Sequence, residues 1–208
     1  MTTIRKIAPD RIEAESFRII TRELGETRFS DLQFPVVRRI IHATGDFDFA
    51  RIIRFSPGAV EAGISAISSG KNILVDVTMA AAGVTRSLLR RTGGEVVCRL
   101  AEEETVQLAR ERRITRSEAA VLRAVDDNIG IVAVGNAPTA LLKTMELIDA
   151  GRLSPALVIG VPVGFVNAAE SKEMLVAGTY PHITCLGRKG GTPVAVAAVN
   201  ALLRLANP

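Results

Sequence analysis

The chain has 208 residues, 48% hydrophobic and 23% charged, with one Tyr and no Trp, which excludes intrinsic disorder and favours one domain over 1–208 with a real core. No apolar run approaches the roughly 20 residues a membrane helix needs, and the N-terminus reaches Asp10 without a secretory core, so a soluble cytoplasmic protein with no membrane contact is expected. Net charge is +4 and 21 of the 26 basic residues are Arg, but they form no single run, acidic residues are interleaved and few aromatics can stack on bases, which argues against a nucleic-acid module.

Pro9 to Leu24 reads as a helix with Gly25 just past its end. Ser30 and Gln33 have capping-box spacing and open a second helix carrying Val36, Val37, Ile40 and Ile41, which runs out between His42 and Gly45. Ser56-Pro57 starts a helix with proline at its first position, ending near Gly70. Short apolar strands are then expected at 72–77, 95–100, 130–134, 156–159 and 182–186. Between them lie helices at 84–91, 102–113, 117–127, 138–150 and 168–177, with a last one opened by Thr192-Pro193. Uninterrupted apolar strands alternating with helices predict an α/β fold. The expectation is a doubly wound, mostly parallel sheet of about five strands with helices on both faces and ligands outside the strand C-termini.

The stretch from Ile41 to Phe49 holds the strongest candidate for chemistry. His42 is one of two histidines and sits where an apolar helix gives way to a glycine turn. Its side chain exchanges a proton near neutral pH, and it serves equally well as a C-cap. Asp46 and Asp48 either orient it or decorate a loop. Glycine turns at 135–138, 160–164 and 187–191 each follow a strand and place amides at the ligand edge, suiting an anion. None matches a dinucleotide fingerprint or a P-loop, which weakens a nucleotide-dependent enzyme. Arg116-Ser117 and Thr85-Arg86 sit at helix starts and read as caps or as contacts to a ligand. Glu170 and Lys172 are expected on an exposed first helical turn. Cys98 and Cys185 lack metal or redox spacing and read as small buried hydrophobes, and no metal cluster is expected. Arginine forks suit carboxylate or phosphate, and a compositional bias accounts for the same excess.

His42-Ala-Thr-Gly45, Asp76-Val-Thr-Met-Ala80 with Gly83-Val-Thr-Arg86, Thr115-Arg-Ser117, Gly135-Asn-Ala-Pro-Thr-Ala140 and the block from Gly160 to Lys172 resemble the precorrin-8X methylmutase family. The match runs in order over nearly the whole chain. The resemblance implies an isomerase of corrin biosynthesis that moves a methyl group between neighbouring carbons of ring C, yielding hydrogenobyrinate or cobyrinate. It implies an anionic tetrapyrrole substrate, no separate cofactor and a homodimer. His42 matches the family's catalytic histidine, and Thr85, Arg116, Ser117 and Ser16 match positions that contact substrate. A flat macrocycle fringed with carboxylates fits arginine forks at its edge and aliphatic side chains at its faces. The rival on the same scaffold is a non-catalytic tetrapyrrole carrier, which binds without converting.

Overall fold

A computed structural model describes residues 6–207. Its sheet has strand order β1-β6-β5-β4-β2-β3. The strands are β1 (Ile53–Phe55), β2 (Asn72–Val75), β3 (Val96–Val97), β4 (Ile129–Val134), β5 (Leu157–Gly160) and β6 (His182–Cys185). β2 to β6 pair in parallel, and β1 joins the edge antiparallel to β6. The fold is α/β and mostly parallel as expected, with six strands instead of five. The added strand, β1, is three residues long with one buried side chain, too short for any periodicity to announce it.

Alternate residues of the inner strands face opposite layers. Ile73, Ile131 and Ile159 join a cluster with Ile40 of α2 (Gln33–Thr44), Ile67 of α4 (Ala59–Ser68) and Leu202 of α11 (Thr192–Leu205). Leu74, Val132 and Val158 join another with Val121 of α8 (Arg116–Arg123), Leu141 of α9 (Pro138–Asp149) and Leu175 of α10 (Ala168–Ala177). Covered on both faces, β4 and β5 bury every residue, which is why they read as unbroken apolar runs.

Several boundaries differ from expectation. A 3-10 turn at Pro9–Arg11 precedes α1 (Ile12–Leu24). Ser30 and Gln33 exchange the expected reciprocal bonds at 3.3 Å, although α2 itself begins at Gln33. Gly58, with φ 71°, is the N-cap of α4, so Pro57 lies in the preceding turn and not at the first helical position. The segment after β2 winds into α5 (Thr78–Gly83) before α6 (Arg86–Arg90).

Two buried charges organise the loops at the C-terminal edge of the sheet. From β2 the chain steps outward to β3 and returns across β2 to β4, so the topological switch lies between β2 and β4. In such sheets that crevice receives the ligand. Here Asp76, only 4% exposed, fills it from within. Its carboxylate accepts the N–H groups of Gly135 (3.1 Å), Asn136 (2.7 Å) and Ala137 (2.8 Å). Burial pushes its carboxyl pKa up, and the three amides oppose the rise. The 135–138 turn is thus an anion site already taken by a resident carboxylate.

The second charge is Lys172, expected on an exposed turn and found fully buried. It projects inward from α10, and its Nζ donates to the Lys189 carbonyl at 2.7 Å, beside the Cys185 Sγ at 3.9 Å. Cys185 Sγ donates to the same carbonyl at 3.1 Å. Burial lowers the Lys172 pKa. The remaining two glycine turns are laced together: Gly191 N–H donates to Val161 O (2.8 Å) and Gly164 N–H to Arg188 O (3.3 Å). A Cβ on Gly190 would lie 2.2 Å from Val161 O, so only glycine fits there.

Asp76→Ala strands three amides and should lower unfolding free energy by about 3 kcal/mol in urea titration, with Asp76→Asn falling between it and wild type. A loss below ~1 kcal/mol for Asp76→Ala would show that the amides find other acceptors. Lys172→Met should cost only about 1–2 kcal/mol, because Cys185 still reaches the carbonyl, while speeding amide exchange across 187–191. Unchanged exchange there would remove Lys172 as the loop's anchor.

Candidate functional site

His42 lies in the last turn of α2 with its side chain exposed. Gly45, at φ 65°, closes the helix by donating to Ile41 O at 2.7 Å. The His42 ring meets the Phe17 ring of α1 edge-on, with centroids 5.2 Å apart and planes at 77°. Asp46 and Asp48 make no hydrogen bond to His42 among the described residues. They grip Lys189 Nζ instead, at 2.6 and 2.9 Å. The Lys189 hydrogen bond holds both carboxyls below the usual carboxylate range, and they raise the lysine in turn. The clamp docks the turn after His42 onto the loop after β6, which puts the histidine at the C-terminal edge of the sheet. The other histidine, His182, is buried at the start of β6 with Nδ1 3.1 Å from Tyr180 O, a structural position.

Ser16 precedes Phe17 on α1, and its hydroxyl donates to Ile12 O at 2.9 Å. It therefore shares a helix with the ring that touches His42. Thr85 is the N-cap of α6 but makes no side-chain cap bond. Its backbone N–H donates to Asn200 Oδ1 (2.8 Å), and Asn200 Nδ2 donates to Gly83 O (3.0 Å), fixing this corner against α11. Arg116 and Ser117 form the first turn of α8. Thr115, not Ser117, is the cap, in a full capping box with Glu118. Thr115 Oγ1 also meets Thr139 Oγ1 at 3.1 Å, tying the starts of α8 and α9.

Among the described residues, these positions are carried on both faces of the sheet. Ser16 and His42 lie together on the α2–α11 side, with Thr85 beside α11. Arg116 and Ser117 lie on the α8–α9 side. No hydrogen bond, ion pair or ring contact among the described residues joins Thr85, Arg116 or Ser117 to His42. Sequence reasoning missed Phe17, Lys189 and Asp76. Phe17 had a signal in the apolar stripe of α1, and Asp76 had one as a lone acid ending a buried strand. No three His, Cys, Asp or Glu side chains among the described residues group to hold a metal. Phe165, Val166 and Met79 stand exposed at the same edge, at 82, 76 and 69%, with the Arg188 guanidinium 5.3 Å from the Phe165 centroid.

The family model for precorrin-8X methylmutase matches residues 11–205. Cobalt-precorrin-8 methylmutase of Priestia megaterium is 45% identical over 202 residues, covering 97% of this chain and 90% of the relative. Precorrin-8X methylmutase of Pseudomonas aeruginosa is 48% identical over 176 residues, covering 83% and 84%. A crystal structure of precorrin-8X methylmutase from Thermus thermophilus superposes with TM-score 0.87 at 52% identity, covering 95% of this chain and 96% of that one. With the family model spanning both faces of the sheet and the solved relative sharing its fold, the chain belongs to the precorrin-8X methylmutase family.

Proposed function

We propose that this chain is the cytoplasmic isomerase that moves a methyl group between adjacent ring C carbons of precorrin-8X or its cobalt-bearing counterpart, acting as a homodimer with His42 as proton donor. Family membership over nearly the whole chain carries the reading. The exposed His42 at the ligand edge of the sheet supports the role given to it. A reducing compartment suits the two free cysteines, Cys98 and Cys185.

The migrating methyl leaves one carbon and joins its neighbour within the same molecule, so the step needs no external nucleophile or separate cofactor. What the protein supplies is proton placement and positioning. Protonation or hydrogen bonding at the ring C nitrogen by His42 draws electron density from the conjugated system and favours the rearranged tautomer, as a general acid does. The Phe17 edge against the imidazole limits its rotation, which pre-orients the donor. Ser16, Thr85, Arg116 and Ser117 are assigned to the substrate's periphery, Arg116 to a carboxylate through its fork. Thr115 carries the helix cap, which spares the Ser117 hydroxyl for a ligand.

The homodimer is supported by the spread of these positions over both sides of the sheet and by the exposed Phe165, Val166 and Met79. Large apolar side chains left exposed at one edge of a sheet mark an interaction surface.

His42→Ala should keep the fold and corrinoid binding while turnover, followed by the absorption change from precorrin-8X to product, falls by about 10²–10⁴. Near-normal turnover would remove His42 from the proton-donor role, and binding without conversion by the wild-type chain would favour the carrier. Sedimentation should give twice the 22.2 kDa chain mass, and Phe165→Asp should shift it toward a single chain. A wild-type mass of one chain would overturn the dimer.

A further inference from the structure

Between α1, α2 and the end of α11 lies a cleft of about 480 Å³ whose wall includes Asp10, Glu13, Phe17, Arg38, Arg39 and Arg204. It adjoins the candidate site through Phe17, one face of which lies against arginine while its ring meets His42. Arg38 and His42 are four residues apart on α2, so they share one helix face.

The three arginines are not equivalent. Arg39 pairs with Glu13 at 2.5 Å, and Arg204 approaches the other Glu13 oxygen at 3.9 Å. Glu13 is thereby committed, and its carboxyl is held down by the Arg39 bond despite its burial. Arg38 has no such partner. Its guanidinium carbon lies 4.5 Å from the Phe17 centroid and 5.5 Å from the Phe34 centroid. Its Nε is buried with no hydrogen-bond partner, and among the described residues the side chain makes no ion pair. A buried guanidinium nitrogen without an acceptor is costly to keep, and the aromatic contacts leave the in-plane N–H fork unused.

We propose that Arg38 is a substrate-binding residue that receives a peripheral carboxylate of the corrin through its unpaired fork, seating the ring edge in this cleft beside His42. The inference rests on the functional reading above and adds to it a residue and the substrate group it recognises. Arg39, paired with Glu13, and Arg204, 3.9 Å from the other Glu13 oxygen, shape the cleft wall. Phe17 links the two events, since the ring that braces the Arg38 guanidinium also braces the imidazole.

The test compares binding of hydrogenobyrinate and its peripheral methyl ester, by absorption titration, to wild type, Arg38→Met and Arg38→Lys. Wild type should prefer the acid by about ten- to a hundredfold, the range of a charge-assisted hydrogen bond. Arg38→Met should lose about tenfold of that preference, the Arg116 contact keeping the remainder, while binding the ester as wild type does. Arg38→Lys, which keeps the charge but not the fork, should retain a fraction of it and serves as the folded control. In turnover, Arg38→Met should raise KM for precorrin-8X by a similar factor with kcat within a few-fold. Wild-type discrimination surviving intact in Arg38→Met would overturn the Arg38 assignment and leave the enzyme reading standing. Failure of wild type to bind either compound would overturn the enzyme reading itself and the subsite with it.

Discussion

Lys189 is the residue through which the fold reaches the candidate site, and it does so with both of its ends. Its carbonyl is held from below by the buried Lys172 and by Cys185, and its ammonium bridges Asp46 and Asp48, the turn that follows His42. The outer end is solvent-exposed, and exposed ion pairs are worth little when the partners must first be ordered. What makes the clamp effective is that the inner end is already ordered. The loop is laced to its neighbour by Gly191 and Gly164, and Gly190 admits no side chain against Val161 O. A lysine whose backbone is already fixed thus ties the aspartate turn to the sheet, and the imidazole stands three residues before that turn begins at Gly45.

The same economy is visible in α11. Its buried face is mostly alanine and valine, which lets α2 and the sheet approach it closely. Gly63 of α4 contributes by the same route, since a Cβ there would lie 2.8 Å from a Leu157 methyl and 2.9 Å from one of Leu202. α11 therefore serves as a common reference: it packs against the helix carrying His42, and Asn200 on it fixes the corner that carries Thr85. Helix packing of this density transmits position without hinges, so the spacing between these residues is a property of the core.

How much of this was legible depends on whether the signal is local. β4 and β5 were readable because strands buried on both faces are apolar without interruption, and α9 because Pro138 follows a glycine turn. β1 escaped because three residues carry no period. The Thr115–Glu118 box has the same spacing as the Ser30–Gln33 pair, so the start of α8 is legible by the same rule, with Thr115 and not Ser117 as its cap. His42 was legible as a histidine before a helix-ending glycine. Lys172 was not, because a lysine in a polar first turn looks solvated until the carbonyl it serves is known. Nor was the clamp on Asp46, whose partner lies 143 residues away. Features set by a local pattern can be read from the sequence; those that depend on a distant acceptor become visible only with the fold.

The arginine excess resolves along the same line. Much of it is structural: Arg99 binds Asp127 and Glu102, Arg123 binds Glu102, and Arg18 binds Glu15 at 2.6 Å. Such pairs spend a carboxylate for each cation and leave no attraction for a ligand. Charge available to an anion must come from cations that the chain does not itself neutralise. Arg38, in its aromatic cage beside His42, Arg116 on the first turn of α8, and Arg188 over the exposed Phe165 ring are of that kind: no ion pair among the described residues involves them. They border the same edge of the sheet or the cleft next to it, while the resident carboxylate Asp76 has already closed the switch point where a smaller anion would otherwise bind. A fold that fills its central crevice and leaves cations around the rim is suited to a ligand broader than that crevice with charge at its periphery, and a macrocycle ringed by carboxylates has that shape.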